Sequence, residues 1–115
     1  MKVAVSASGS GMDAQVDARF GRCPSFVIVD TETNECETMP NGSTSAAGGA
    51  GIAAAQQIAA KKPAAVLTGH CGPNAFNVLQ AAGIKVYTGA MGTVRDAVEA
   101  CKVGALQSID RADAG

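Results

Sequence analysis

Strands and helices alternate in the second half of this 115-residue chain, and that order restricts the possible folds more than any other feature. Residues 50–62, 73–82 and 94–101 have helical periodicity, whereas residues 64–68 and 84–88 are short β-type runs. Because strands joined by helical crossovers lie parallel to one another, this half predicts a parallel α/β arrangement.

The first half of the chain has a different pattern. Residues 2–6 predict a first strand, and residues 25–30 and 35–39 predict a hairpin closed by the turn TETN. The polar, glycine-punctuated stretch between the first two strands predicts a long loop. The whole chain therefore predicts an α/β fold with a five-stranded mixed sheet flanked by three helices. We expect one domain over residues 1–108 and a flexible tail over residues 109–115.

Composition excludes several classes of function. The residues are 47% hydrophobic and 17% charged, which is typical of a globular protein. With a net charge of −1 and three Phe and one Tyr, the chain has neither a basic footprint nor enough aromatic side chains to bind nucleic acid. No apolar run is long enough for a membrane span, and the first residues do not resemble a signal peptide. We therefore expect a cytoplasmic protein whose four cysteines are reduced.

Several loops of the predicted sheet should meet at one edge. If the first half is antiparallel and the second half parallel, the loops after strands one, three, four and five all leave from the edge at which strand two begins. Ligands of open α/β sheets bind at the carboxyl ends of such strands. This edge would gather two arginines and the soft metal ligands of the loops, namely Met12, Arg19, Arg22, Cys23, His70, Cys71 and Met91.

The chemistry of this edge predicts an anionic metal–sulfur cluster as the ligand. Thiolates bind the metals of such clusters, and their sulfides accept hydrogen bonds. Two helices should begin at the same edge, near Gly49 and Pro73, and helix N-termini favour anions. Cys71 lies at the second of these helix starts, where we expect the pKa of its thiol to be lowered.

Three motifs resemble those of the dinitrogenase iron-molybdenum cofactor family, which includes cofactor carriers and the orange protein branch. These motifs are ARFGRCPSFVIVD, GGAGIAAAQQIA and TGHCGPNAFNVLQAAGIKVYTG, and the resemblance covers about residues 1–106. It implies an RNase H-like fold and the binding or delivery of iron–sulfur or molybdenum-containing clusters. The orange protein branch further implies a molybdenum–copper sulfide cluster held largely without covalent ligands. The partners that it implies are radical-SAM enzymes and MinD-type ATPases.

Carried onto this chain, the resemblance implies a site made of residues 22–23, 48–51 and 70–73. We expect Cys23, Cys71 and His70 to be the metal ligands. The predicted cofactor-binding residues are Arg22, Cys23, Gly48, Gly49, Gly51, His70, Cys71, Gly72 and Met91. The two remaining cysteines, Cys36 and Cys101, fall on inward-facing positions of a strand and a helix, and we assign them to the core.

Two other functions remain open from the sequence. A thiol-redox protein would use Cys23 and Cys71, with His70 as the base. An adaptor that carries no cluster would leave the soft ligands of the loops unexplained. A nuclease would need a group of carboxylates around Mg²⁺, and the sequence does not supply this set. A nucleotide-binding module would need a phosphate-binding glycine motif after a strand, and the sequence has none. We therefore predict a non-enzymatic carrier or scaffold for a metal–sulfur cluster.

Overall fold

A computed structural model describes residues 1–42 and 50–109 of the chain. Strands and helices alternate in its second half, as the sequence predicts. The strands are β1 (Lys2–Ala7), β2 (Ser25–Asp30), β3 (Cys36–Pro40), β4 (Ala65–Leu67), β5 (Lys85–Thr88) and β6 (Gln107–Ile109), and the helices are α1 (Ala50–Lys61), α2 (Pro73–Ala81) and α3 (Val94–Lys102).

The strands form one mixed sheet with the order β3-β2-β1-β4-β5-β6. Strand β2 runs antiparallel to both β1 and β3, which confirms the predicted hairpin and its pairing with the first strand. Strands β4 and β5 run parallel to β1, as helical crossovers require. The carboxyl ends of β1, β4 and β5 therefore lie at one edge of the sheet, together with the start of β2.

The prediction of five strands is wrong, because the described part of the chain contains a sixth. Strand β6 pairs antiparallel with β5, from Thr88 opposite Gln107 to Val86 opposite Ile109. This strand has only three residues and is largely exposed, so its sequence has no hydrophobic alternation that would indicate a strand. Ile109 consequently belongs to the sheet and not to the expected tail, whose other residues lie outside the described part.

Helices cover both faces of the sheet. The apolar residues of α1 and α2, among them Ile58 and Phe76, pack with Phe26 on one face. Those of α3, among them Val94 and Val98, pack on the other face against β1 and β4. Many of the helix residues that pack here are alanines, which lets the helices lie close to the strands. The three predicted helices and the mixed sheet are therefore confirmed, while the RNase H-like classification stays a prediction.

The two cysteines assigned to the core differ in their environments. Cys36 is exposed, so its predicted inward orientation is wrong. It lies on the edge strand β3, whereas α3 packs mainly on the central strands β1 and β4. Cys101 is half-buried and packs against the α3 face of the core. Within the described ranges, no helix combines the length and apolar character needed to cross a membrane.

Candidate ligand cavity at the carboxyl edge of the sheet

A cavity of about 460 Å³ opens at the sheet edge where the sequence predicts the loops to meet. The segment between β1 and β2 forms one wall, and the first turns of α1 and α2 form the other. A volume of this size lies in the range of small-molecule and cofactor sites. The described residues that line the cavity are 18–22, 50–52, 70 and 72–75.

Backbone hydrogen bonds hold the first wall against the sheet. The Asp17 N–H donates to the carbonyl of Ser6 at 2.9 Å, and the His70 N–H donates to the carbonyl of Ala18 at 2.8 Å. Arg19 and His70 form an isolated parallel bridge. The buried Ser6 hydroxyl is also hydrogen-bonded to the Asp17 carbonyl at 2.6 Å. Although the sequence indicates a loop here, part of this segment therefore pairs with the end of β1 and with His70, beyond the end of β4.

Two glycines allow the chain segments around the cavity to approach each other. A Cβ atom at Gly69 would lie 2.7 Å from the Cα and the Cβ of Ala18. A Cβ atom at Gly21 would lie 2.9 Å from the Cα of Gly51, at the start of α1. Both separations are below any normal carbon–carbon contact, so only glycine fits at these two positions.

The described residues that line the cavity include positively charged side chains and no acid. Arg19 and Arg22 both face the cavity. Asp17 does not line the cavity, but its carboxylate lies 3.0 Å from the Arg19 guanidinium. This hydrogen-bonded ion pair lowers the pKa of Asp17, which therefore stays ionised at neutral pH.

Helices α1 and α2 both begin at the cavity. The N-cap residue of α2 is Gly72, which has no side chain that could accept a hydrogen bond from the first turn, and Pro73 follows as the first helical residue. Helix α3 differs, because Thr93 and Asp96 cap it with a reciprocal pair of hydrogen bonds. The first-turn N–H groups of α2 are therefore available to an anion in the cavity.

The two predicted thiolate ligands lie beneath the cavity and do not line it. Cys23 and Cys71 are fully buried in the core on the α1 and α2 side of the sheet. The Cys23 S–H donates to the carbonyl of Phe20 at 3.3 Å. Burial, together with the nearby Asp17 charge, raises the pKa of the Cys23 thiol to about 12. Cys23 is therefore a neutral thiol in this conformation and a poor metal ligand.

The other predicted site residues fall into three groups. Arg22, Gly51, His70 and Gly72 line the cavity, as expected. Met91 is 76% exposed on the loop between β5 and α3 and does not line it. Gly48 and Gly49 lie outside the described residues. Within residues 1–42 and 50–109, no three His, Cys, Asp or Glu side chains converge to hold a metal ion, so Cys23, Cys71 and His70 do not form such a set.

Asn41 supports the cavity wall, a role that its sequence context does not reveal. Its buried side-chain amide donates to the carbonyl of Cys23 at 2.8 Å and to that of Gly21 at 3.2 Å. These bonds tie the residue after β3 to the loop that carries Arg22. In the sequence, Asn41 belongs to the tripeptide PNG, which indicates only a turn.

Replacement of Asn41 by alanine should lower the free energy of unfolding by about 2 kcal/mol, because two carbonyls lose their amide donor. Urea unfolding followed by circular dichroism measures this loss. The control is Asn77→Ala on the exposed face of α2, where alanine is the better helix former and little change is expected. Equal free energies of unfolding for the two variants would contradict the structural role of Asn41.

Comparisons with known proteins show similarity over most of the chain. The dinitrogenase iron-molybdenum cofactor family model matches residues 1–104. The apo form of the orange protein from Desulfovibrio gigas is 45% identical, with a TM-score of 0.93 over 97% of this chain and 95% of that one. A Thermotoga protein of the DUF35 family, solved by NMR, is 34% identical, with a TM-score of 0.81 over 93% and 91% of the two chains. An uncharacterised Methanocaldococcus jannaschii protein is 27% identical over 99 residues, or 84% of each chain.

Proposed function

The chain belongs to the dinitrogenase iron-molybdenum cofactor family, and from this premise we propose that it is a non-enzymatic carrier or scaffold. Its ligand is a preformed anionic metal–sulfur cluster, which it holds in the cavity for cofactor assembly or delivery. The observation that carries this proposal is the composition of the lining. Two arginines and two helix N-termini face one space, and no described lining residue is an acid.

Charge and hydrogen bonds hold the cluster in this proposal. Sulfide ligands on the surface of a cluster accept hydrogen bonds from N–H groups, and the negative charge of the cluster is balanced by guanidinium groups and helix N-termini. His70 lines the cavity and offers an imidazole for a metal or a sulfide. The buried thiols of Cys23 and Cys71 contribute to the floor beneath the site by packing. Direct thiolate ligation would require the core to open first.

The cluster is an iron–sulfur, a molybdenum–iron–sulfur or a molybdenum–copper sulfide cluster. The high identity to the orange protein, 45% over nearly the whole chain, makes the molybdenum–copper type that the motifs imply the first to test. The recipient or donor would be a cofactor-assembly protein, and we propose a radical-SAM enzyme or a MinD-type ATPase for this role.

The thiol-redox alternative is less compatible with the geometry. A reactive thiol needs access and a lowered pKa, whereas Cys23 is buried and its pKa is raised to about 12. The Cys71 side chain is buried as well. If the protein were an adaptor that binds no cluster, the two arginines that line the cavity would have no evident function.

Anaerobic loading tests the proposal. The protein is incubated with tetrathiomolybdate and copper(I), or with iron and sulfide, and is then desalted. Metal content and the visible absorption of the protein fraction are measured. We expect stoichiometric metal with sulfide-to-metal charge-transfer bands. Arg22→Gln should lower the affinity about tenfold, because it removes one charge from the lining.

Matched variants separate the modes of binding. Arg95→Gln removes an equal charge outside the cavity, where Arg95 pairs with Asp13 at 3.4 Å, and should load like the wild type. Cys23→Ala and Cys71→Ala should also load if binding is non-covalent. Loss of loading in both cysteine variants, with the fold intact, would favour thiolate ligation. A wild-type protein that stays colourless and metal-free under all these conditions would refute the carrier proposal and favour the adaptor.

A further inference from the structure

Asp17 and Arg19 form a hydrogen-bonded pair at the cavity wall, which we call the Asp17–Arg19 fork. The Asp17 carboxylate accepts from the Arg19 Nε–H at 3.1 Å and from one Nη2–H at 3.0 Å. It also accepts from the Arg19 backbone N–H at 2.9 Å. Three hydrogen bonds to one carboxylate fix the plane of the guanidinium and one of its edges.

The two members of the fork differ in their access to solvent. The Asp17 side chain is only 9% exposed, whereas that of Arg19 is 66% exposed and lines the cavity. A guanidinium has five N–H donors, of which Asp17 takes two. The other three have no partner among the described residues. Arg19 therefore presents a fixed edge of N–H donors on the cavity side of its carboxylate partner.

The position of Asp17 is itself fixed by the sheet. Its N–H donates to the Ser6 carbonyl at 2.9 Å, and its carbonyl is bonded to the buried Ser6 hydroxyl at 2.6 Å. The Ser6 hydroxyl also lies 2.8 Å from the buried Thr68 hydroxyl, at the end of the neighbouring strand β4. The orientation of Arg19 is thus anchored to two central strands through Asp17.

On the basis of this geometry, and resting on the proposed function, we propose that Arg19 is a specificity-determining residue of the cavity and that Asp17 is its positioning residue. The fixed guanidinium edge selects anions that present two acceptor atoms side by side. The edge of a tetrahedral thio- or oxo-metalate unit has this form. Lysine would supply the same charge without the planar pair of donors.

The positioning role of Asp17 predicts a change in anion affinity that is opposite in sign to the change expected from charge alone. Asp17→Asn removes a negative charge near the cavity, so a charge effect alone would tighten anion binding. Loss of orientation would weaken it, because an asparagine carbonyl cannot hold both guanidinium nitrogens as a carboxylate does. The direction of the change in affinity therefore separates the two explanations.

The test measures the binding of tetrathiomolybdate to the intact protein by equilibrium dialysis at fixed ionic strength. We expect Arg19→Lys to raise Kd about tenfold and Asp17→Asn to raise it about fivefold. When Asp17→Asn is added to Arg19→Lys, Kd should rise by less than about a further twofold. The lysine has already removed the oriented guanidinium that Asp17 holds. Asp17→Glu should recover part of the affinity.

The pair Asp13 and Arg95 provides the control, because it is an aspartate–arginine ion pair that lies outside the cavity lining. Asp13→Asn and Arg95→Lys should leave the Kd unchanged, and thermal melts confirm that each variant is folded. Unchanged or tighter binding by Asp17→Asn overturns the inference, as do losses that simply multiply in the double variant. If the wild type binds neither tetrathiomolybdate nor any assembled cluster, the proposed function fails and this inference fails with it. Binding that is equal in all variants overturns the inference alone.

Discussion

Replacement of Gly69 by alanine is expected to lower the free energy of unfolding by about 3 kcal/mol, at the upper end of the usual cost of overpacking. The added Cβ would lie 2.7 Å from the Cα and the Cβ of Ala18. Neither atom can move easily, because the Ala18 carbonyl accepts the 2.8 Å hydrogen bond from the His70 N–H. The strain must therefore displace the cavity wall from the end of β4. Urea unfolding followed by circular dichroism gives the loss, at constant m-value.

Gly42→Ala is the matched control for this substitution. No heavy atom of the described residues lies within 4 Å of a Cβ built at Gly42, and its φ is not in the left-handed region, so a change within about 0.5 kcal/mol is expected. Gly21→Ala should resemble Gly69→Ala, since its Cβ would meet the Gly51 backbone at 2.9 Å. If Gly69→Ala were as stable as Gly42→Ala, the close approach of the two segments would be refuted.

Above pH 9 the protein should lose stability through Cys23. The ordinary pKa of this thiol is 9.0, and burial raises it to about 12 in the folded state. Below pH 9 the thiol is protonated in both states, so its contribution is complete and constant. Between pH 9 and 12 the unfolded chain binds fewer protons than the folded one, and the free energy of unfolding falls by about 1.4 kcal/mol per pH unit. From pH 9.0 to 10.5 this amounts to about 1.5 kcal/mol, and from pH 9.0 to 12 to about 3 kcal/mol.

Urea unfolding at pH 7.5, 9.0 and 10.5 measures this dependence. Cys23→Ala removes the titrating group, so its free energy of unfolding should fall less steeply above pH 9 than that of the wild type. Cys36→Ala removes an exposed thiol on β3 and should keep the wild-type slope. Parallel curves for the wild type and Cys23→Ala would contradict the burial of Cys23 as a neutral thiol.

The topology of the sheet could be predicted because it depends on patterns that are strong in this chain. The alternation of β-type runs with helices, broken at Pro63 and Gly83, was sufficient to predict the parallel half and its common edge. Strand β6 could not be predicted in this way. It is exposed and polar, and it exists because the edge of β5 offers backbone groups for pairing rather than because its own residues favour a strand.

The site was only partly predictable, for a related reason. The order of the elements determined which loops meet, so Arg22, His70 and Gly72 line the cavity as expected. The direction of a side chain at a turn depends instead on its tertiary neighbours. Cys23 and Cys71 therefore turned out to be core residues although their sequence context suggested exposure. Asn41 escaped notice because its role consists of hydrogen bonds to residues distant in sequence.

The bridge between Arg19 and His70 affects how fast a ligand can bind. Because the backbone N–H of His70 is hydrogen-bonded across this bridge, its exchange with solvent deuterium requires the wall to separate from β4. This wall is therefore preorganised, and a ligand that docks against it loses little affinity to ordering this part of the chain. Association should then depend on how fast an anion reaches the arginines by diffusion, and it should slow as ionic strength rises.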